Sequence, residues 1–152
     1  IKKSKGDSDR LATIISRGYL FPTKTLIEAT VDAAVSAVIC ANSKNHDDLR
    51  NPEDITFEVS VVSGLELVQA DKPIDYPKRI EIGFHGLHIE SGFKKAVILP
   101  SIPVEEGWNE VEFISECCMK AGLRADAWLL GDVRVYKFKT ETFTGDCAEP
   151  VR

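Results

Sequence analysis

Between residues 55 and 62 the sequence alternates strictly. Ile55, Phe57, Val59 and Val61 are apolar, and Thr56, Glu58 and Ser60 between them are not. Successive side chains of a strand point to opposite faces, so this stretch is constrained to be a strand with one dry and one wet face. Such one-sided strands belong to antiparallel sheets. Residues 79–84 repeat the pattern with Ile80, Ile82 and Phe84, and residues 86–92 and 96–100 follow after short Gly- and Lys-containing links. Three short strands so closely joined predict a β-meander. Residues 11–17, β-branched in their middle, predict a first strand, and residues 133–143 a last one. Residues 3–10 predict a polar loop or turn, and residues 42–51 and the tail from Gly145 predict loops.

Two helices carry their own start signals. Thr25 and Glu28 stand in capping-box spacing, as do Asn109 and Glu112. The first helix runs to about Ala41, and its apolar residues wrap most of the way round, which predicts burial on more than one side. Along the second, Val111, Ile114, Cys118 and Ala121 share a face, and Gly122 suits the left-handed residue that ends a helix. Residues 125–131 predict a short helical turn. The order strand, helix, strands, helix, strand gives an α+β fold with a largely antiparallel sheet and two main helices.

With 152 residues, 43% of them hydrophobic and 28% charged, the chain has the length and composition of one globular domain. No apolar run reaches membrane-spanning length, so no membrane association is expected. Cys40, Cys117, Cys118 and Cys147 show no metal-ligand spacing and predict reduced thiols, which points to the cytoplasm. The net charge is −5, although residues 1–24 hold six basic and two acidic side chains. An acidic chain is a poor general nucleic-acid binder, and only its basic N-terminal region supports an RNA-associated role.

From Ile80 to Phe138 the sequence resembles the AMMECR domain family, also called AmmeMemoRadiSam system protein A. The carrying elements are GFHGLHI (83–89), VILPSIPVEEGW (97–108), Phe113 followed by KAGL (120–123), and AW with VYKF (127–138). SRGYL (16–20), LIEATVDAAVSA (26–37) and PEDITFEVSVVS (52–63) extend the likeness to about residues 16–143. The resemblance implies two lobes around a cleft. It also implies a genomic context with a Memo-type protein and a radical S-adenosylmethionine enzyme. Two departures stand out. The family's Leu-Arg-Gly-Cys-Ile-Gly turn is here Ser16-Arg17-Gly18-Tyr19-Leu20-Phe21, so a nucleophilic cysteine at that place is excluded. The family's opening helix also has no counterpart before the first strand. Residues 1–152 are thus expected to form a single AMMECR-like domain shortened at its N-terminal part.

The expected cleft residues are Arg17, Gly18, Tyr19, Leu20, His85, Glu105, Glu106 and Trp108. A tight glycine turn turns backbone N–H groups to a ligand, and Arg17 offers a bidentate anion grip, where the alternative is a plain turn with a packed ring. His85 and His88 are three apart, so on a strand they point to opposite faces and do not share a metal; a turn histidine and a solvent-facing histidine are expected. Glu105 and Glu106 either serve as an acid–base pair or favour the positive end of the helix that follows. Cys117 and Cys118 predict core thiols. Lys137 and Lys139 share one face of the last strand and Tyr136 and Phe138 the other, which predicts solvent on one side and core on the other. His46 falls in a hydrophilic loop. No P-loop, dinucleotide fingerprint, nucleophile elbow or zinc-helix motif is present, and no cofactor or metal is expected.

The expected function is a binding or adaptor domain acting with a protein partner. The alternative is a small enzyme or enzyme subunit tied to radical S-adenosylmethionine chemistry, with Tyr19, His85 and Glu105 as acid–base groups.

Overall fold

The computed structural model describes residues 2–5, 8–13, 15–43 and 55–146. The residue 42–51 loop beyond Ser43, His46, Pro52 and Cys147 lie outside them. The chain divides into two compact units, residues 1–60 with 142–152, and residues 61–141. None of the described helices is long and apolar enough to cross a membrane.

In the first unit, β1 (Lys2–Lys5) pairs antiparallel with β2 (Ser8–Thr13) and also with the start of β3 (Ile55–Leu67). The polar stretch expected as a loop at residues 3–10 is thus mostly strand, because backbone pairing between neighbours needs no apolar side chains. The strand expected at residues 11–17 ends at Thr13, and residues 15–19 continue without regular structure.

Helix α1 (Leu26–Ser43) starts where Thr25 predicts. The Thr25 backbone N–H donates to Glu28 Oε2 at 3.1 Å, and the Glu28 N–H to Thr25 Oγ1 at 3.4 Å. Its packing is the reverse of the expected one. The inward arc is made of small residues, Ala29, Thr30, Ala33, Ala37, Cys40 and Ala41, with Ile15 packed on Ala37 and Ala41. The large apolar side chains Ile27, Val31, Val35, Val38 and Ile39 point outward.

The second unit is built on strand order β3-β6-β4-β5, with β4 (Gly86–Ser91) antiparallel to both β5 (Lys94–Ile98) and β6 (Arg134–Asp146). Both flanking strands were legible, and β6 runs on through Gly145 and Asp146, expected as loose tail. Leu87, Ile89, Ala96, Ile98 and Val135 face the helix of residues 110–120 and bury Phe113, Ile114, Cys117, Cys118 and Trp128. Phe113 and Cys117 therefore belong to the inward face, whereas Val111, expected there, is half exposed.

Residues 79–84 are not a strand. Pro73–Arg79 forms a 3-10 helix started by proline, and Ile80 follows it in extended conformation with its side chain in the core. Gly83 then takes φ +81, turning the chain so that the N–H groups of Phe84 and His85 both donate to the Glu81 carbonyl. Residues 101–106 hold a short helix absent from the expectation, α2 (Ser101–Glu106), ended by Gly107 in the left-handed conformation. Helix α3 (Glu110–Lys120) follows with its predicted box: Asn109 Oδ1 accepts from Val111 and Glu112, and Glu112 accepts from the Asn109 N–H at 2.9 Å. Gly122 leaves the helix at φ +74, as its place foretold.

Candidate functional site

Residues 17–20 belong to the first unit. Arg17 donates one guanidinium N–H to the Ser16 carbonyl at 3.3 Å and another to Cys40 Sγ at 2.7 Å, so its charge is applied to α1. Gly18 is not in the left-handed conformation, and a methyl group there would meet nothing within 4 Å. The local path is therefore open to other residues and does not depend on glycine. Tyr19 is exposed, with the Lys24 ammonium 5.3 Å from its ring centre, and Leu20 is half-buried. Lys24 forms an ion pair with Asp32, which raises the ammonium above its ordinary pKa.

His85, Glu105, Glu106 and Trp108 belong to the second unit. The Glu81 N–H donates to His85 Nδ1 at 3.0 Å. Nδ1 is therefore the acceptor nitrogen, and the neutral ring carries its proton on Nε2. Burial, and then the positive charge of Lys137, push the His85 pKa below the ordinary value, with Lys139 adding to the effect. Phe84 meets the ring edge-on at 5.0 Å, and Lys139 lies 4.6 Å over the Phe84 ring. This arrangement offers a neutral imidazole that donates one hydrogen bond from Nε2.

Glu105 and Glu106 are exposed at the end of α2, followed by the Gly107 break. Neighbours on a helix diverge by about 100°, so the two carboxyl groups do not converge on one proton. Trp108 packs against the core of the unit, and its backbone N–H donates to the Pro103 carbonyl at 2.9 Å. The α2 segment and the Glu81–His85 turn are neighbours: a methyl group on Gly83 would lie 3.1 Å from Val104 Cγ2.

His88 is the opposite of the solvent-facing residue expected. It is buried, its Nδ1 is 3.0 Å from the Ala96 carbonyl, and its ring lies 5.5 Å from that of Tyr136. It is a satisfied core histidine. Burial pushes the Cys117 thiol up to about 12 and raises that of Cys118, so neither is a thiolate at neutral pH. Among the described residues no group of three or more His, Cys, Asp or Glu is placed to hold a metal ion.

Lys137 departs most from its expectation. The register sets it opposite Leu87, on the face that packs on α3, and its side chain is only 21% exposed. Its ammonium turns to the Arg79 carbonyl at 3.3 Å and to Glu66 Oε1 at 3.1 Å. Phe138 is buried on the opposite face. Both faces of β6 are thus covered here, and a strict alternation of core and solvent did not foresee it. The positions of Arg79 and Glu66 carried no signal, since exposed charges at element ends are common.

Against known proteins, the AMMECR1 family matches residues 17–143. Protein MK0488 of Methanopyrus kandleri is 41% identical over 139 residues, covering 89% of this chain and 66% of that protein. Protein PH0010 of Pyrococcus horikoshii is 39% identical over 126 residues, covering 83% of this chain and 61% of that protein. The crystal structure of uncharacterized protein PH0010 superposes with a TM-score of 0.75 at 36% identity, covering 90% of this chain and 68% of that one. The chain spans less than two thirds of the length of these curated relatives.

Proposed function

The chain belongs to the AMMECR1 family, and we propose that within it this protein is a cytoplasmic binding domain that works by docking a protein partner on the outer face of α1. The carrying observation is the reversal of that helix. Ile27, Val31, Val35, Val38 and Ile39 fall within an arc of about 120°, and each is between 40% and 78% exposed. Exposed apolar residues scattered singly are ordinary, but a contiguous ridge rimmed by polar groups is the mark of a surface that another surface covers. Asp32 and Ser36 follow the ridge on its Ile39 side and supply a polar border, while Glu28 lies within the arc at its N-terminal end. The cytoplasmic setting is supported by cysteines held as thiols at Cys40, Cys117 and Cys118.

A partner of this kind presents an apolar groove or helix face, and the ridge supplies anchors at helical spacing. The test is affinity purification of the full-length protein from its own cells, beside a Val31→Lys, Val35→Lys variant. Lysine has better helix propensity than valine at exposed positions, so the variant keeps its fold. A stoichiometric protein partner captured by the native protein and lost from the variant is the expected result. A partner retained at equal yield by the variant contradicts the proposal.

A further inference from the structure

The second unit has a groove of about 370 Å³ lined by Glu66, Leu67, Val68, Gln69, Arg79 and Lys137. We propose that this groove binds a small monocarboxylate, with the Arg79 guanidinium as its principal anchor.

Three observations carry the assignment. First, the groove is the meeting place of two cations, one of them held in position. Lys137 rises from a packed strand face and is fixed at its tip by the Arg79 carbonyl and Glu66, so its charge does not wander. Second, the Arg79 side chain has no hydrogen-bond or ion-pair partner among the described residues, although it closes a 3-10 helix directly beside that fixed ammonium. A guanidinium presents a planar fork that matches a carboxylate through two parallel hydrogen bonds. Third, the charge count selects the ligand. Glu66 balances Lys137, which leaves the single positive charge of Arg79. One carboxylate neutralises it, whereas a phosphate dianion exceeds it.

The surroundings do not change that count. Lys139 and Glu81, the other charges acting on His85, offset each other, and His85 itself is held towards its neutral form. Leu67 is half exposed at the groove and offers an apolar wall for the body of a short organic acid. The volume is at the small end of ligand sites, which suits a small acid rather than a nucleotide.

The experiment is a titration of the 15N-labelled full-length protein with sodium propionate, then separately with inorganic phosphate at matched ionic strength. The Val68 and Gln69 amide signals are followed. The expected result is a saturable shift with propionate, weakened roughly tenfold or more in Arg79→Gln, the worth of a charge-assisted pair. Arg79→Lys, which keeps the charge and loses the fork, falls between. Arg79 is exposed, so neither change touches the core. Phosphate binding as tightly as propionate overturns the proposal, as does propionate binding unchanged in Arg79→Gln or the absence of any saturable shift.

Discussion

Gly86 and Phe138 face each other across β4 and β6, and a methyl group on Gly86 would lie 2.3 Å from Phe138 Cζ. Phe138 is fully buried, so its ring has no room to withdraw. Glycine is required here by close approach and not by backbone conformation. Gly86→Ala is expected to destabilise the protein by about 3 kcal/mol, the upper range for overpacking a dense core. Phe138→Leu in the same chain restores part of the loss by removing the ring. Urea unfolding of the native protein and the two variants measures both. Equal stability of Gly86→Ala and the native protein would contradict the packing described.

The α3 box predicts a smaller effect. Asn109 accepts from two backbone N–H groups at 3.0 Å each. Asn109→Ala leaves them to water and is expected to cost about 1 kcal/mol, while Asn109→Asp keeps the cap and the favourable charge at the helix start. Thermal unfolding of the two variants separates them, and a loss in Asn109→Asp equal to that in Asn109→Ala would speak against the cap.

His85 predicts a pH dependence. Burial and the nearby Lys137 charge depress its folded pKa below the ordinary imidazole value of about 6.5. The unfolded chain therefore binds the proton more readily, and stability rises with pH across this window. The contribution is complete above the unfolded value and is lost as pH falls through the folded one. Between about pH 7.5 and about pH 5.5, above most carboxylate titrations, His85→Gln should show a shallower fall in stability than the native protein. Identical slopes in urea titrations would show that burial of His85 carries no linkage.

The cysteines predict an order of reactivity. Cys117 is buried with its thiol pushed up to about 12, and Cys118 is buried beside it. Cys40 is half-buried, with the Arg17 guanidinium on its sulfur. Iodoacetamide at about pH 8 should modify Cys40 in the native protein and reach Cys117 and Cys118 only on unfolding, as mapped by peptide mass. Early labelling of Cys117 would contradict the core described for the second unit.

How much of this was legible follows from where the signal resides. β3, β4, β5 and both helix starts are written locally, as alternation or as cap pairs three residues apart, and they were found. Residues 79–84 alternate like a strand, yet Pro73 and Pro77 upstream and the left-handed Gly83 bend them into a turn. The alternation of Ile80 and Ile82 reports partial burial, which a turn over a core satisfies equally well. The β1 and β2 pairing was hidden because its residues are polar. The orientation of α1 was hidden for a different reason. A helix apolar on all sides does not say which side faces its own unit, and small residues allowed the closer approach. Among the site residues, the Glu81–His85 turn and the α2 segment proved to be neighbours, while the groove at Arg79 and Lys137 depends on strand register that no local pattern reveals.

The central claim is that the α1 ridge is open until a partner covers it. The direct measurement places a reporter thiol at Val35, as Val35→Cys in the full-length protein with Cys40→Ala and Cys147→Ala, so that the only other thiols are the buried Cys117 and Cys118, and follows labelling of position 35 by a bulky maleimide through peptide mass. Rapid labelling of the purified protein, suppressed in the complex with the captured partner, is the predicted result. A thiol at position 35 that stays unlabelled in the purified protein alone would mean that its own chain covers the ridge, and would contradict the account.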